Sequence, residues 1–299
     1  MSLAPSRPGL ETGHEPDRYV VMGNPIEHSR SPWIQARFAE LTGQSMAYGK
    51  QLTPLDGFAD TLAALRQQGI QGCNVTVPFK FEAFAAATRT TPRAKLAGAC
   101  NTLALLGDEV LGDNTDGVGL VRDITVHAGV PLRGKRVLLL GAGGAAAGVL
   151  GPLLDEQPQV LVVCNRTLVK AESLVTSHAA HAQANGCELT CMSSQALEAS
   201  TEGAFDVVVN ATASSLGGGA IPAPACVLGP GTLVVDMMYG PAAQPFLSWA
   251  TQHGAMGRDG LGMLVEQAAA AFELWRGVRP PAATVLAELS ALLAQAPKA

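Results

Sequence analysis

The sequence predicts an α/β protein of two domains, and three observations carry this prediction. The chain has 299 residues, of which 47% are hydrophobic, and this length favours two domains over one. Short apolar runs alternate with helix-like stretches, which is typical of strands and helices built around a largely parallel sheet. A glycine-rich turn near the middle of the chain separates a second series of these runs from the first.

Composition makes several classes of partner poor candidates. The net charge is −5 and the sequence pI is about 5.7, without a basic block, so neither nucleic acid nor an anionic membrane is expected as the main partner. No apolar run approaches the ~18 residues that a membrane span needs. Residues 1–17 are polar and lack the apolar centre of a signal peptide. We therefore expect a disordered tail there and a cytoplasmic protein, either a monomer or a homodimer.

The six cysteines contain no Cys-x-x-Cys pair. Cys187 and Cys191 are close in sequence, but no histidine pair accompanies them. We predict free thiols in a reducing compartment and no metal site.

The first predicted strand covers residues 19–23 and ends in a turn. Ser31 is a good N-cap and Pro32 a good first residue for a helix that runs to about Leu41. Backbone N–H groups at a helix start, together with two serine hydroxyls, make a small anion site. Capping alone explains Ser31, but Ser29 is not needed for the cap and favours the anion site.

A second strand is predicted over residues 46–52, before a helix that Thr53 or Asp56 opens. Residues 101–112 read as a hairpin that turns at the Gly-Asp pair of position 107. These elements extend the strand–helix alternation, so the first domain should be an α/β unit.

The strand predicted over residues 71–77 has an apolar face and a second face that carries Asn74 and Thr76. Pro78 suits the first position of the next helix, and Lys80 then lies in its first turn. A cation is disfavoured there because the helix macrodipole has its positive end at this point. Residues that break a local rule concentrate at functional sites, so Lys80 is a candidate; a solvated surface lysine is the alternative.

Residues 112–117 are turn formers, and a simple turn explains them. Asp116 is also placed to cap the helix that follows, which extends to about His127, or to face a cleft. Gly129 then ends that helix.

Residues 135–140 form a buried-strand pattern that leads directly into a glycine-rich turn and a helix to about Leu154. This arrangement matches the dinucleotide fingerprint of a Rossmann-like domain, with Ala146 at the third glycine position. Gly141 permits the tight turn, and Gly143 lets the backbone approach a pyrophosphate. A plain strand–turn–helix is the alternative. The loop residues assigned to the cofactor are Gly141, Ala142, Gly143, Gly144 and Ala145.

The end of the next strand, predicted over residues 159–164, selects between NAD and NADP. An NAD-binding domain places Asp or Glu about twenty residues beyond the loop, whereas this chain has Asn165, Arg166 and Thr167. Arg166, with Lys170 one turn on, offers positive charge to a 2′-phosphate, and Thr167 offers a hydroxyl and an N-cap. We therefore predict NADP as the cofactor.

Two more strands are predicted over residues 205–210 and 232–236. Ligands of open α/β sheets bind beyond the carboxyl ends of the strands, so the residues after these strands are candidates to line a nicotinamide pocket. Thr212 and Met237 are assigned to the cofactor and Tyr239 to the substrate.

A long apolar helix is predicted from position 259 to about Trp275, and a last helix ends near Leu293. Gln267 is a lone amide on the apolar helix and needs partners if it is buried. A satisfied structural glutamine is the alternative. Gly260, at the start of this helix, is assigned to the cofactor.

Taken together, these runs resemble the shikimate dehydrogenase family from about Tyr19 to Leu293. The motifs that carry the resemblance lie at residues 23–32, 72–80, 101–103, 112–117, 141–145, 165–167 and 259–267. The resemblance implies an N-terminal α/β substrate domain over residues 18–116, completed by residues 260–299. It also implies a Rossmann-like NADP-binding domain over residues 117–259.

The activity implied by the resemblance is the NADPH-dependent, reversible reduction of 3-dehydroshikimate to shikimate, in the route to chorismate and aromatic amino acids. Ser29 and Ser31 would hold the substrate carboxylate, and Lys80 and Asp116 would form the catalytic pair. The groups implied to hold ring hydroxyls and the reacting oxygen are Asn74, Thr76, Asn101, Asp116 and Gln267.

Two positions depart from the family pattern. Ala147 stands where many relatives carry a basic residue, and residues 213–215 differ from the usual serine-first run. One alternative function is a relative that also oxidises quinate with NAD; Ser31 and Arg166 argue against it. Another is a non-catalytic NADP-binding sensor, which would have no use for Lys80 together with Asp116.

Overall fold

The computed structural model describes residues 15–200, 203–212, 221 and 223–295. The chain divides into two compact units. Met1–Thr115 and Val265–Ala299 form one, here called the terminal unit, and Asp116–Leu264 form the other, the central unit. Each unit contains a sheet with helices, so the predicted two-part α/β class is confirmed. The expected tail lies mostly outside the described residues, and Asp17 already belongs to the first strand.

The described strands follow the chain in this order: β1 Asp17–Gly23, β2 Met46–Leu52, β3 Ile70–Val75, β4 Arg89–Thr90, β5 Thr102–Leu106, β6 Glu109–Asp113, β7 Arg136–Leu140, β8 Val160–Asn165, β9 Glu188–Ser193, β10 Val207–Asn210, β11 Leu233–Asp236 and β12 Met256–Arg258. The described α-helices are α1 Ser31–Thr42, α2 Phe58–Gln67, α3 Lys80–Ala86, α4 Pro92–Ala97, α5 Asp116–Arg122, α6 Gly144–Asp155, α7 Leu168–Ala184, α8 Ser194–Glu198, α9 Gln244–Gln252, α10 Leu261–Arg276 and α11 Ala282–Gln295. A π-helical segment, Asp123–His127, follows α5.

The sheet of the terminal unit has the order β2-β1-β3-β5-β6-β4. Strand β1 pairs in parallel with β2 and β3, but β5 runs antiparallel to both β3 and β6. This sheet is therefore mixed, since the predicted 101–112 hairpin inserts a reversed strand into it. Strand β3 ends at Val75, two residues earlier than predicted.

The two faces of this sheet are covered by different helices. One face carries the side chains of Val20, Cys73 and Val75, which pack into a core with Leu62 of α2. The opposite face carries Tyr19, whose ring lies 4.7 Å from that of Trp275 in α10. Helix α10 therefore packs on the sheet formed by the first third of the chain.

Two predicted helix starts are wrong in detail. The N-cap of α1 is Arg30 rather than Ser31, because the Arg30 main-chain oxygen accepts the N–H of Ile34 at 3.1 Å. The N-cap of α2 is Gly57 rather than Thr53 or Asp56. Polar residues near both starts resemble caps in the sequence, but the path of the incoming chain decides which residue caps.

The central unit contains a parallel sheet in the order β12-β11-β10-β7-β8-β9. Read from β7 as the first strand, this is the 3-2-1-4-5-6 order of a Rossmann domain. The strand ends are level, since Leu140 pairs with both Cys164 and Asn210. The loops that follow β7, β8, β10 and β11 therefore meet along one edge, where such sheets bind ligands.

The six cysteines are free thiols, as predicted. Burial raises the pKa of Cys73 and of Cys100 to about 12, so both remain protonated at neutral pH. No cluster of metal-ligating side chains occurs within the part of the chain that the structure describes. None of its helices has the length and apolar character for a membrane span.

Candidate active site

Three side-chain amides of the terminal unit join in one buried hydrogen-bond network. Asn74 lies near the end of β3, Asn101 directly before β5, and Gln267 in α10. Asn101 Nδ2 donates to Gln267 Oε1 at 3.3 Å, and Asn74 Nδ2 donates to the main-chain oxygen of Asn101 at 3.3 Å. The structure thus brings together three predicted substrate residues that are far apart in the sequence.

Two threonines that sequence reasoning did not single out complete this amide network. Thr102 Oγ1 accepts from Asn74 Nδ2 at 3.0 Å and donates to Asn101 Oδ1 at 2.9 Å. Thr115 donates its main-chain N–H to the same Asn101 oxygen at 2.8 Å and accepts from Asn101 Nδ2 at 3.0 Å. Their position beside motif residues was the only signal in the sequence, because a threonine hydroxyl has no periodic pattern of its own.

Lys80 is the first residue of α3, so its predicted place in the first helical turn is confirmed. Its neighbour Phe79 is fully buried and stacks on Phe58 with 5.6 Å between ring centroids. The main-chain oxygen of Lys80 accepts the N–H of Cys100, the residue before Asn101, at 2.9 Å. Pro78 lies in the turn before the helix rather than at its first position, since the N-cap is Phe79.

Thr76 follows β3 and donates its main-chain N–H to the oxygen of Met22 at 2.9 Å. Its methyl group fills the space that a side chain at position 23 would need, since a Cβ on Gly23 would lie 2.4 Å from Thr76 Cγ2. A glycine at the end of β1 is therefore required for Thr76 to stand where it does.

The two serines lie at the start of α1. Ser31 is its first residue and is buried, and Ser29 Oγ accepts the Ser31 N–H at 3.3 Å. Ser29, and not Ser31, therefore satisfies a helix-start N–H, although the sequence assigns the cap to Ser31. The helix start presents N–H groups and two hydroxyls, which suits an anionic group.

An ion pair between a half-buried arginine and a buried carboxylate supports the strand that leads into Thr115. Asp113 is fully buried and accepts from Arg93 Nε at 2.7 Å and from Thr91 Oγ1 at 2.6 Å. Burial alone would lower the pKa of Arg93, but its hydrogen bond and charge interaction with Asp113 raise that pKa overall. This pair was not predicted, because Arg93 and Asp113 meet only through the pairing of β4 with β6.

The glycine turn of the central unit has two distinct glycines. Gly141 has a φ of +110°, and a Cβ there would lie 3.1 Å from the main-chain oxygen of Ala211. Gly143 is the exposed N-cap of α6, and a Cβ placed on it would have nothing within 4 Å. Gly144 and Ala145 open the helix, whose first N–H groups lack partners within the helix itself. Gly141 is needed by the fold, whereas Gly143 leaves open space for a ligand.

The predicted phosphate-recognition residues follow β8. Arg166, Thr167 and Lys170 are exposed, and Thr167 is the N-cap of α7 without a side-chain cap bond. Asn165 Nδ2 donates to the main-chain oxygen of Thr167 at 2.8 Å, which fixes the turn beneath Arg166. No acidic side chain occupies this strand end, as the sequence indicates.

A buried pair of polar residues shapes the loops after β10 and β11. Asn210 Nδ2 donates to Asp236 Oδ2 at 3.1 Å, and both residues are fully buried. Asn210 Oδ1 accepts from the Thr212 hydroxyl at 2.7 Å, and Asp236 Oδ1 accepts the Met238 N–H at 2.9 Å. Asn210 therefore supports Thr212 from within.

Gly260 packs directly on the backbone beside Met237, since a Cβ at this position would lie 2.4 Å from the Met237 oxygen. Its N–H donates to the oxygen of Met238 at 2.9 Å. Tyr239 is half-buried and directly precedes a short 3-10 helix. Met237 and Gly260, both assigned to the cofactor, thus form one contact at the edge of the central unit.

Asp116 is buried at the start of α5 in the central unit, where the sequence predicted the next helix to begin. Its neighbour Gly117 allows α5 to pack closely, since a Cβ there would lie 2.6 Å from the Gly148 oxygen of α6. Ala147 is buried in the central core, and residues 213–215 lie outside the described residues.

A parallel sheet in Rossmann order, with a glycine turn after its first strand, defines the class: a protein with a dinucleotide-binding domain. Three family models match successive parts of the chain. They describe a shikimate dehydrogenase substrate-binding domain at residues 21–103, a shikimate/quinate 5-dehydrogenase at residues 125–216, and a shikimate 5′-dehydrogenase C-terminal domain at residues 260–289.

Relatives agree with these models. The shikimate dehydrogenase (NADP(+)) of Acidovorax sp. (strain JS42) is 63% identical, over 93% of this chain and 97% of the relative. Among solved structures, an Ael1 enzyme from Pseudomonas putida has a TM-score of 0.83 at 43% identity, covering 91% of this chain and 98% of that one. Shikimate 5-dehydrogenase from Thermus thermophilus, in complex with NADP(H) and shikimate, has a TM-score of 0.79 at 30% identity, covering 92% and 99%. The chain belongs to the shikimate dehydrogenase family.

Proposed function

We propose that this chain catalyses the NADPH-dependent, reversible reduction of 3-dehydroshikimate to shikimate. The observation that carries the proposal is the amide network of Asn74, Asn101 and Gln267, in a family member with NADP-dependent relatives. A ring that bears several hydroxyls needs both donors and acceptors, and amide side chains supply both. Preformed hydrogen bonds among the amides lower the cost of ordering them when the substrate binds.

The substrate carboxylate is assigned to Ser29 and Ser31. The start of α1 combines the positive end of the helix macrodipole with two hydroxyls, and Ser31 is buried there. Thr76 and Asn74 are assigned to ring hydroxyls, and Tyr239 of the central unit is assigned to the substrate as well.

The carbonyl oxygen of the substrate gains negative charge as the ketone is reduced and must finally take up a proton. Bound NADPH would supply the hydride. The Lys80 ammonium has three N–H donors for the developing oxyanion, and the Asp116 carboxylate accepts hydrogen bonds from a substrate hydroxyl or from an ammonium. We assign proton exchange with the reacting oxygen to this pair.

The residues of the central unit fit a dinucleotide that carries an additional phosphate. Gly143 leaves the space for a pyrophosphate, and the start of α6 supplies N–H donors to it. Arg166 and Lys170, both exposed beyond β8, are assigned to the 2′-phosphate, with Thr167 beside them. The remaining cofactor assignments are Gly141, Ala142, Gly144, Ala145, Asn165, Thr212, Met237 and Gly260.

A comparison of two substrates and two cofactors tests this proposal. Initial rates would be measured for shikimate and quinate, each with NADP+ and with NAD+, through the absorbance of the reduced nicotinamide. We expect shikimate with NADP+ to give the highest kcat/KM. Equal efficiency for quinate with NAD+ would assign the chain to a quinate-oxidising function instead, and no turnover of either substrate would support a sensor.

A further inference from the structure

The phenol of Tyr48 reaches across a strand to the amide network. Tyr48 lies on β2, the edge strand, and Asn74 on β3, with β1 between them. Two strand spacings amount to roughly 9.6 Å, which only a long side chain with a polar tip can span. The Tyr48 hydroxyl donates to Asn74 Oδ1 at 2.7 Å.

This bond completes the hydrogen bonding of the Asn74 amide. Its Nδ2 donates to the main-chain oxygen of Asn101 and to Thr102 Oγ1, so its N–H groups are used within the protein. The Asn101 oxygen can only accept, which fixes the nitrogen of Asn74 on that side. The oxygen of Asn74 therefore faces Tyr48, and one of its two lone pairs is left for a ligand.

Packing against Trp275 positions the Tyr48 ring so that its hydroxyl reaches Asn74. It packs beside Trp275 of α10, with 6.2 Å between ring centroids. Trp275 is in turn fixed by its indole N–H, which donates to the Leu103 oxygen at 3.0 Å, and by the absence of a side chain at Gly72. Burial raises the pKa of Tyr48 well above its ordinary value, so the phenol stays a neutral donor at working pH.

We propose that Tyr48 is a positioning residue for the substrate, which acts by holding the side-chain amide of Asn74 in a single orientation. The inference rests on the proposed function, since it assumes that Asn74 binds a hydroxyl of the substrate. Loss of the phenolic O–H removes the donor to Asn74 Oδ1 and leaves a buried acceptor unsatisfied. The oxygen of the Asn74 amide is then no longer held by a hydrogen bond when the substrate binds.

Tyr48→Phe tests the proposal because it removes the hydroxyl and keeps the ring beside Trp275. We expect KM for shikimate to rise roughly three- to tenfold, the effect of one neutral hydrogen bond, with kcat and the KM for NADP+ close to wild type. Tyr19→Phe is the matched control. Tyr19 also packs on Trp275, but its hydroxyl accepts from Arg276 at 3.4 Å and lies outside the amide network.

A double-mutant cycle separates positioning from general damage to the fold. If Tyr48 acts through Asn74, Tyr48→Phe should change the KM for shikimate little in an Asn74→Ala background. An equal effect in both backgrounds, or an unchanged KM in Tyr48→Phe alone, would overturn the proposal. A parallel rise of the KM values for shikimate and NADP+ would do so too, since it indicates a structural role. Failure of the proposed function is distinct, because the wild-type chain would then not oxidise shikimate at all.

Discussion

In the terminal unit most of the candidate ligand groups are buried side chains, whereas in the central unit they are largely main-chain atoms and exposed cations. Asn74 and Asn101 are 6% and 3% exposed, and the Asn74 amide donates a hydrogen bond to the main-chain oxygen of Asn101. Gly143 and Arg166 are exposed. A buried amide network is specific for one arrangement of hydroxyls, while a helix start and a glycine turn accept any pyrophosphate. Substrate identity should therefore depend on the terminal unit, and cofactor choice on a few exposed side chains.

Lys80→Ala is expected to have the largest effect, and it tests the catalytic role assigned to a side chain of the terminal unit. Because Lys80 is assigned to proton exchange and not to ground-state binding, we expect kcat to fall roughly a hundredfold or more. KM for shikimate should stay nearly unchanged. Steady-state kinetics of the purified variant measure both constants.

The control for this variant is Lys95→Ala, which removes an exposed lysine from α4 of the same unit. It should leave kcat at the wild-type value. A Lys80→Ala enzyme that retains most of its turnover would remove Lys80 from the mechanism.

Arg166→Ala addresses the central unit. Loss of a charge-assisted contact to the 2′-phosphate should raise the KM for NADP+ roughly ten- to a hundredfold and leave the KM for NAD+ near the wild-type value. Arg133→Ala, at another exposed arginine of this unit, is the matched control. Equal weakening of both cofactors would contradict the phosphate assignment and, with it, the idea that exposed side chains select the cofactor here.

The sequence predicted well those elements whose signal is local. The strand predicted over residues 46–52 has the bounds of β2, and Gly107 with Asp108 marks the hairpin turn between β5 and β6. The glycine turn after β7 was recognisable because its spacing reflects backbone geometry. Local sequence patterns therefore predict most of the helices and strands.

Features that depend on partners distant in the chain were missed. Nothing around Tyr48 indicates that its hydroxyl meets Asn74 across β1, and Arg93 gives no sign of Asp113. Strand β4 is only two residues long, too short for any periodicity. The sequence assigns the cap to Ser31, whereas Ser29 accepts the Ser31 N–H, because hydroxyls near a helix start resemble caps whether or not they cap. The sequence predicts each amide separately as a substrate residue, but the hydrogen bonds among the amides exist only in the folded sheet.

The two glycines of the nucleotide turn are expected to have different roles: Gly141 in stability and Gly143 in cofactor binding. Gly141→Ala places a side chain at a φ of +110° and against Ala211, and should lower the free energy of unfolding by about 1–3 kcal/mol. Gly143→Ala has open space and should change stability little, but its methyl group would stand where the pyrophosphate approaches, and the KM for NADP+ should rise. Thermal unfolding and cofactor kinetics on both variants measure the two effects. A Gly143→Ala enzyme with unchanged cofactor binding would show that the main chain here does not contact the ligand.

The smallest expected effect concerns a buried polar atom that, unlike the amide network, is left unsatisfied. His178 of α7 is 1% exposed, its Nδ1 lies 3.0 Å from the Leu174 oxygen, and its Nε2 has no hydrogen-bond partner among the described residues. Burial lowers the pKa of His178 below its ordinary value. The unfolded chain therefore binds this proton more readily than the folded chain does, and stability is lost as the pH falls through about 6.5, the ordinary histidine pKa.

His178→Phe removes this titration, so its melting temperature should fall less than that of the wild type when the pH is lowered from neutral to mildly acidic. His253→Gln, at an exposed histidine of α9's C-cap, should follow the wild-type pH dependence. If His178→Phe loses stability with acid as steeply as the wild type, then the buried imidazole does not resist protonation. A water molecule on Nε2 would explain that result, since it would supply the missing hydrogen-bond partner.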